Sequence, residues 1–150
     1  MSATLRDEIR IGAIAIRFLL EGKDTGGAVA VFEFDVPAGA RVPLPHSHDG
    51  YEETVVGLAG TLTWTVDGER AETRPGEALC IPRGAVHQFV NDGDEDTTTL
   101  AVVTPGLLGP DYFREMAAVV AAAGGPPDPA EMAAVMRRHG LSPAPAEAGA

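Results

Sequence analysis

The sequence predicts an all-β domain, a sandwich or barrel, carrying a short helical appendage at its C-terminal end. Three observations carry this. Between residues 9 and 104, short runs of alternating apolar side chains are separated by turn residues. No strand–helix–strand rhythm interrupts them. Beyond Pro105 the apolar residues change to helical spacing. With 150 residues and 45% apolar content the chain suits one domain with a real hydrophobic core.

Each element follows from its pattern. Ile14, Ile16, Phe18 and Leu20 share one face by period two, whereas Ile9 and Ile11 have the opposite parity, so a bulge or bend is expected near Gly12-Ala13. The segment EGKDTGG then turns the chain. Ala30, Phe32, Phe34 and Val36 form the apolar face of the next strand, with Glu33 and Asp35 on the other, and residues 37–39 end it. In TLTWTVDGER, Leu62, Trp64 and Val66 alternate with threonines, which directs Trp64 inward, and Asp67-Gly68 reads as a two-residue hairpin turn. Further strands are expected over 77–81, 86–90 and 97–103, punctuated by RPG, PRG and NDGDED. Phe113, Met116, Ala117 and Val120 then mark a helix with Gly124 as its stop. Asp128 caps a second helix, Pro129 takes its first position, Glu131 completes a capping box and Gly140 closes it. Met132, Val135 and Met136 of that helix should face the barrel or a partner subunit. The last ten residues, LSPAPAEAGA, have the composition of a disordered tail.

Composition excludes several function classes. The formal net charge is -11 and Lys23 is the only lysine, which disfavours phosphate backbones and acidic membrane surfaces alike. No apolar run reaches the length of a membrane span, and MSATLRDEIR lacks the basic-then-apolar order of a signal peptide, so a cytoplasmic location is expected. A single cysteine, Cys80, cannot form an internal disulfide; within ALCIP it reads as a small buried hydrophobe.

The stretch PHSHDGYEETVVGLAG departs from this pattern, because a half-buried strand normally avoids so many polar groups. A metal ion is the partner that best suits imidazole plus carboxylate. His46 and His48 project from one strand face and can reach one point, helped by Pro43 and Pro45, which restrict the backbone to extended conformations. Parity from His48 selects Glu52 as a further ligand, while a reset at Asp49-Gly50 selects Glu53; parity alone leaves both open. About forty residues on, Pro82, Gly84 and Ala85 make a tight turn that delivers His87 onto another strand.

These residues resemble the two motifs of the cupin superfamily, G-x5-H-x-H-x3or4-E-x6-G and G-x5-P-x-G-x2-H-x3-N. The second is matched throughout by Gly76, Pro82, Gly84, His87 and Asn91. The first is matched from His46 through His48 and Glu53 to Gly60, with Gly39 one residue further from His46 than the pattern asks. The resemblance covers residues 9–104 and selects Glu53 over Glu52. It implies a small antiparallel jelly-roll β-barrel over residues 1–108, with the helical appendage at 109–140 and the tail at 141–150. Inside the barrel His46, His48, Glu53 and His87 would converge on one divalent transition metal: Fe, Ni, Mn, Co, Cu or Zn. Small cupins often dimerise, and an open sheet edge gives that tendency a physical cause, so a homodimer is expected.

The other polar residues have plainer explanations. Glu52 reads as a solvated or outer acid, His139 as a donor to the last carbonyls of its helix, Asn91 as a turn-maker, and Asp92 to Asp96 as a solvated turn. Trp64 and Phe89, the latter sharing the His87 face, are candidates to line a substrate pocket, which Gly57 is expected to widen. Because the apolar barrel offers few charges to hold a phosphate, the resemblance points first to a metal-dependent dioxygenase acting on a small enolic or phenolic substrate. Glu53 would then be both ligand and acceptor of the substrate hydroxyl proton. A non-redox isomerase, cyclase or decarboxylase is the alternative, and a non-catalytic small-molecule-binding module the third possibility.

Overall fold

Period-two alternation builds the molecule from two antiparallel sheets. The computed structural model describes residues 7–42 and 44–144. The strands are β1 (Glu8–Ile11), β2 (Ile14–Leu20), β3 (Ala30–Val36), β4 (His46–His48), β5 (Glu52–Ala59), β6 (Leu62–Val66), β7 (Glu69–Thr73), β8 (Ala78–Ile81), β9 (His87–Val90), β10 (Thr97–Thr104) and β11 (Leu141–Pro143). Helices α1 (Pro110–Ala122) and α2 (Pro129–Arg138) stand between β10 and β11. One sheet runs β1-β2-β3-β10-β5-β8 and the other β11-β4-β9-β6-β7. Their interleaved order is that of a jelly roll, as the resemblance implied.

The core sits between the sheets. Strand β3 buries Ala30, Phe32, Phe34 and Val36 on alternate positions. Phe34 meets Trp64 of the opposite sheet edge-on, with ring centroids 6.3 Å apart, and stacks on Phe89 at 5.3 Å. Trp64 points inward as expected, and its indole N–H donates to Thr73 Oγ1 at 3.1 Å, so burying the ring strands no donor. The β6–β7 hairpin turns at Asp67 and Gly68, both with positive φ of 47° and 82°, the primed turn that an Asp-Gly pair favours.

Several local expectations are corrected. Gly12-Ala13 is the tight turn of the β1–β2 hairpin, with Gly12 at φ 58°, and both strands bury their isoleucines. The irregularity instead falls between Phe18 and Leu20, where the β2–β3 register shifts and leaves Leu20 exposed. Cys80 is exposed rather than buried, because Ile81 takes the inward position of β8. Gly57 does not widen a pocket: a Cβ there would lie 2.3 Å from the carbonyl oxygen of Arg74, where two backbones approach each other.

The appendage closes one end of the barrel. Pro110 opens α1 after Gly109, and Asp128 caps α2 by accepting from Ala130 N at 3.0 Å, without a return bond from Glu131. Met116 of α1 and Met132, Val135 and Met136 of α2 are buried against the barrel. The chain does not fall into a tail after Gly140. That glycine, at φ 80°, turns it into β11, whose Leu141 is buried and which pairs with β4. Residues 145–150 and Pro43 lie outside the described residues. No described helix is long and apolar enough to cross a membrane.

Candidate metal centre

The two histidine-bearing segments meet because β4 and β9 are neighbouring strands. Their antiparallel pairing sets His46 directly across from His87, while His48 stands two residues along β4 on the same face. The three rings pack at centroid separations of 5.2 Å (His46–His48), 4.6 Å (His46–His87) and 4.5 Å (His48–His87). One nitrogen from each lies within 4.8 Å of the others.

The same local device orients two of these rings. His46 Nδ1 donates to the carbonyl of Leu44, and His87 Nδ1 to that of Ala85, each at 2.9 Å and each two residues back. A carbonyl can only accept, so both Nδ1 atoms carry the proton and both Nε2 atoms present a lone pair. His48 is steadied by Tyr51, whose ring stacks on it at 4.6 Å and 22°. Burial, and then the other histidines, hold the rings neutral: His46 is pushed down to about 3 and His48 to about 2, and burial lowers His87 as well.

Three neutral, preoriented imidazoles are the donor set a divalent ion takes. Three nitrogens bound to one ion at about 2.1 Å stand about 3.0–3.6 Å apart, a separation that lies inside the 4.8 Å bound on these three. His48 Nδ1 is sealed from solvent and has no hydrogen-bond partner among the described residues. That is a cost that a ring held only for packing would gain nothing by carrying. The residues present therefore fit a metal.

Glu53 stands on β5 in the opposite sheet, 7% exposed, and lines the same cavity as the histidines. Burial pushes its carboxyl up to about 7. It is not among the side chains whose ligating atoms fall within the mutual 4.8 Å of the imidazoles. Its neighbour Glu52 points outward and pairs with Arg83, which pulls its carboxyl down. Strand alternation thus gives two adjacent glutamates opposite environments.

The cavity, about 80 Å³, opens between the sheets beside the histidines. Since one water needs about 10–15 Å³ of such space, it admits a ring-sized body. Trp64 and Phe89 line it, together with Phe32 and Phe34, and among the described residues no lysine or arginine does so. The sequence reading missed the contribution of the appendage. Leu108, Tyr112, Phe113, Met116, Met136 and Leu141 form one side of the cavity. Helical periodicity marked the apolar face of α1, but period alone does not say against which surface a helix will lie. Asn91 is wholly buried and tethers a turn, donating to the carbonyls of Val36 and Glu95. His139 pairs with Glu115 of α1, away from the cavity lining.

Comparison with known proteins agrees with this geometry. A family model for the cupin domain matches residues 32–103. The chain is 31% identical over 110 residues to quercetin 2,3-dioxygenase of Bacillus subtilis, covering 73% of this chain and 32% of that protein. It therefore spans about a third of that relative's length. Among solved structures, a sugar phosphate isomerase from Silicibacter pomeroyi superposes with a TM-score of 0.56 at 26% identity, covering 69% of this chain and 71% of that one. A predicted oxalate decarboxylase from Thermotoga maritima gives a TM-score of 0.61 at 21% identity, covering 70% and 96%.

Proposed function

The chain belongs to the cupin superfamily, and from that premise we propose that it is a metal-dependent dioxygenase acting on a small enolic or phenolic substrate. In this reading His46, His48 and His87 hold the ion and Glu53 is its fourth ligand. One observation carries it: neutral imidazoles and a buried carboxyl open onto a single cavity walled by aromatic rings and, among the described residues, lined by no lysine or arginine. A divalent ion held there supplies a Lewis-acidic centre and, where the metal is redox-active, a path for electrons.

The chain's own residues account for the rest. The aromatic wall excludes water and holds a planar ring. The absence of lysine and arginine from the lining among the described residues selects against phosphate or dicarboxylate groups, which supports an enol or phenol over the sugar phosphates of the Silicibacter isomerase. Glu53, buried and lining the same cavity, is placed to accept the substrate hydroxyl proton on a carboxylate oxygen. The non-redox alternative keeps the same ligands and proton acceptor and differs only in needing no oxygen.

Metal analysis of untagged protein, followed by oxygen uptake with the Fe, Ni, Mn, Co and Cu forms and a panel of enols and catechols, tests this directly. The dioxygenase reading expects oxygen consumption with at least one metal and its loss in His48→Ala and His87→Ala. Turnover of the same compounds without oxygen, equally with zinc, would decide for the non-redox reading.

A further inference from the structure

We propose that Tyr112 is a ligand-positioning residue, its hydroxyl making the hydrogen bond that recognises the oxygen of a neutral, ring-sized phenol or enol in the cavity. The proposal rests on the reading of this cavity as the substrate site. It does not depend on which metal is bound.

Tyr112 comes from the first turn of α1, outside residues 32–103 that match the family model, so the appendage and not the shared barrel supplies it. It is 6% exposed and lines the cavity together with Glu53. Its ring is locked by Phe113, edge-on at 5.0 Å, and by His139 at 5.7 Å. His139 is in turn fixed by Glu115, so the tyrosine cannot swing freely.

The decisive feature is the hydroxyl. Among the described residues it makes no hydrogen bond to protein, yet the side-chain atoms that are both sealed and unpartnered are His48 Nδ1 and Tyr51 Oη, not Tyr112 Oη. An unpartnered hydroxyl that is still reachable, on a buried residue lining the cavity, opens onto that cavity. Burial first, and the nearby Glu53 second, push this phenol up, so it remains a protonated donor at every physiological pH. Only a few other polar groups, Gln88 among them, reach the apolar lining. A ligand oxygen held away from the metal side of the cavity finds in Tyr112 a fixed donor, and a hydrogen bond in such surroundings discriminates strongly against a ligand that lacks the matching group.

Trp64 is the only tryptophan of the chain and lines the cavity, so its fluorescence reports entry of a ring without any turnover. The experiment, at about pH 5.5 where 4-nitrophenol is neutral, titrates metal-free and zinc-loaded protein with 4-nitrophenol and with nitrobenzene, two quenchers that differ by one hydroxyl, in wild type and in Tyr112→Phe. Wild type should prefer the phenol by about three- to tenfold, the range of one net hydrogen bond. In Tyr112→Phe that preference should vanish, while nitrobenzene affinity, zinc content and melting temperature stay unchanged, because no protein hydrogen bond is lost. An undiminished preference in Tyr112→Phe overturns this proposal and leaves the substrate-cavity reading standing. Failure of both compounds to quench Trp64 in either metal state overturns the cavity reading and the proposal together.

Discussion

Glu52 and Glu53 are neighbours in sequence and opposites in chemistry. Glu52 reaches Arg83 at the surface, while Glu53 is sealed inside with no cation beside it, and the direction of each shift follows: down for the first, up for the second. The consequence for stability can be measured. In metal-free protein the folded state holds the Glu53 proton up to about pH 7, whereas the unfolded chain releases it near the ordinary 4.5. The folded state binds the extra proton in that window, so this contribution is complete below 4.5 and is lost as pH rises through 7. Glu53→Gln stays neutral and loses nothing. Urea unfolding of the metal-free proteins should therefore find the variant more stable than wild type at pH 8, by up to roughly 3 kcal/mol, with the gap closing towards pH 4.5. Parallel pH profiles would mean that Glu53 is not buried as described. With metal bound the order should reverse if Glu53 is a ligand, because the ion then stabilises the ionised carboxylate that glutamine cannot offer.

Among the elements, β5 carries both the inward glutamate and a glycine with no room for a side chain. Its Gly57 N–H donates to the carbonyl of Glu77 at 2.9 Å and its own carbonyl accepts from Gly76, while Arg74 O occupies the space a Cβ would need. Gly57→Ala should push the 74–77 turn away from β5 and cost about 1–3 kcal/mol, read as a lower urea midpoint at unchanged slope; a neutral substitution would show that the two backbones can separate freely. This contact also marks where sequence reading stops. The β3 face, the Asp67-Gly68 hairpin, the Asp128 cap and the convergence of His46, His48 and His87 were all legible, because each rests on local periodicity, turn chemistry or a motif with fixed spacing. Leu20, Cys80, Gly57 and β11 were not, because their environments are set by strands remote in sequence: a register shift against β3, the inward parity of β8, the approach of the 74–77 turn, and an open edge on β4.

At the scale of the whole molecule, the proposed centre, with Glu53 as its fourth ligand, would join both sheets and act as a clamp. Imidazoles from β4 and β9 stand in one sheet and Glu53 in the other, and no ligand set exists in the unfolded chain, so metal binding adds directly to folding stability. At a free ion concentration of about 100 times Kd the gain is about 2.7 kcal/mol, which for a chain of this size raises Tm by about 5–10 °C. Differential scanning calorimetry with and without zinc should record that rise in wild type and none in His87→Ala. Self-association belongs to the same scale. The outer face of the six-stranded sheet presents Leu58, Ala78 and Cys80 to solvent beside half-buried Val31, Val56, Leu100 and Val102. A second copy laid on this face would cover it, and the homodimer proposed on that ground should sediment at twice the chain mass at micromolar concentration, falling to the single-chain mass in Leu58→Lys.

Strand β11 lies hydrogen-bonded along the very strand that carries two of the imidazoles, with Leu141 opposite His48 and Pro143 opposite His46. The candidate ion site is thereby coupled through β11 to the C-terminal end of the chain. A fusion partner or purification handle placed there would pull on the ligand strand, and a polyhistidine one would bring rival donors within reach of it, whereas a stop codon after Gly140 would leave β4 with a bare edge. Recombinant protein made for metal work should carry its handle at the other end.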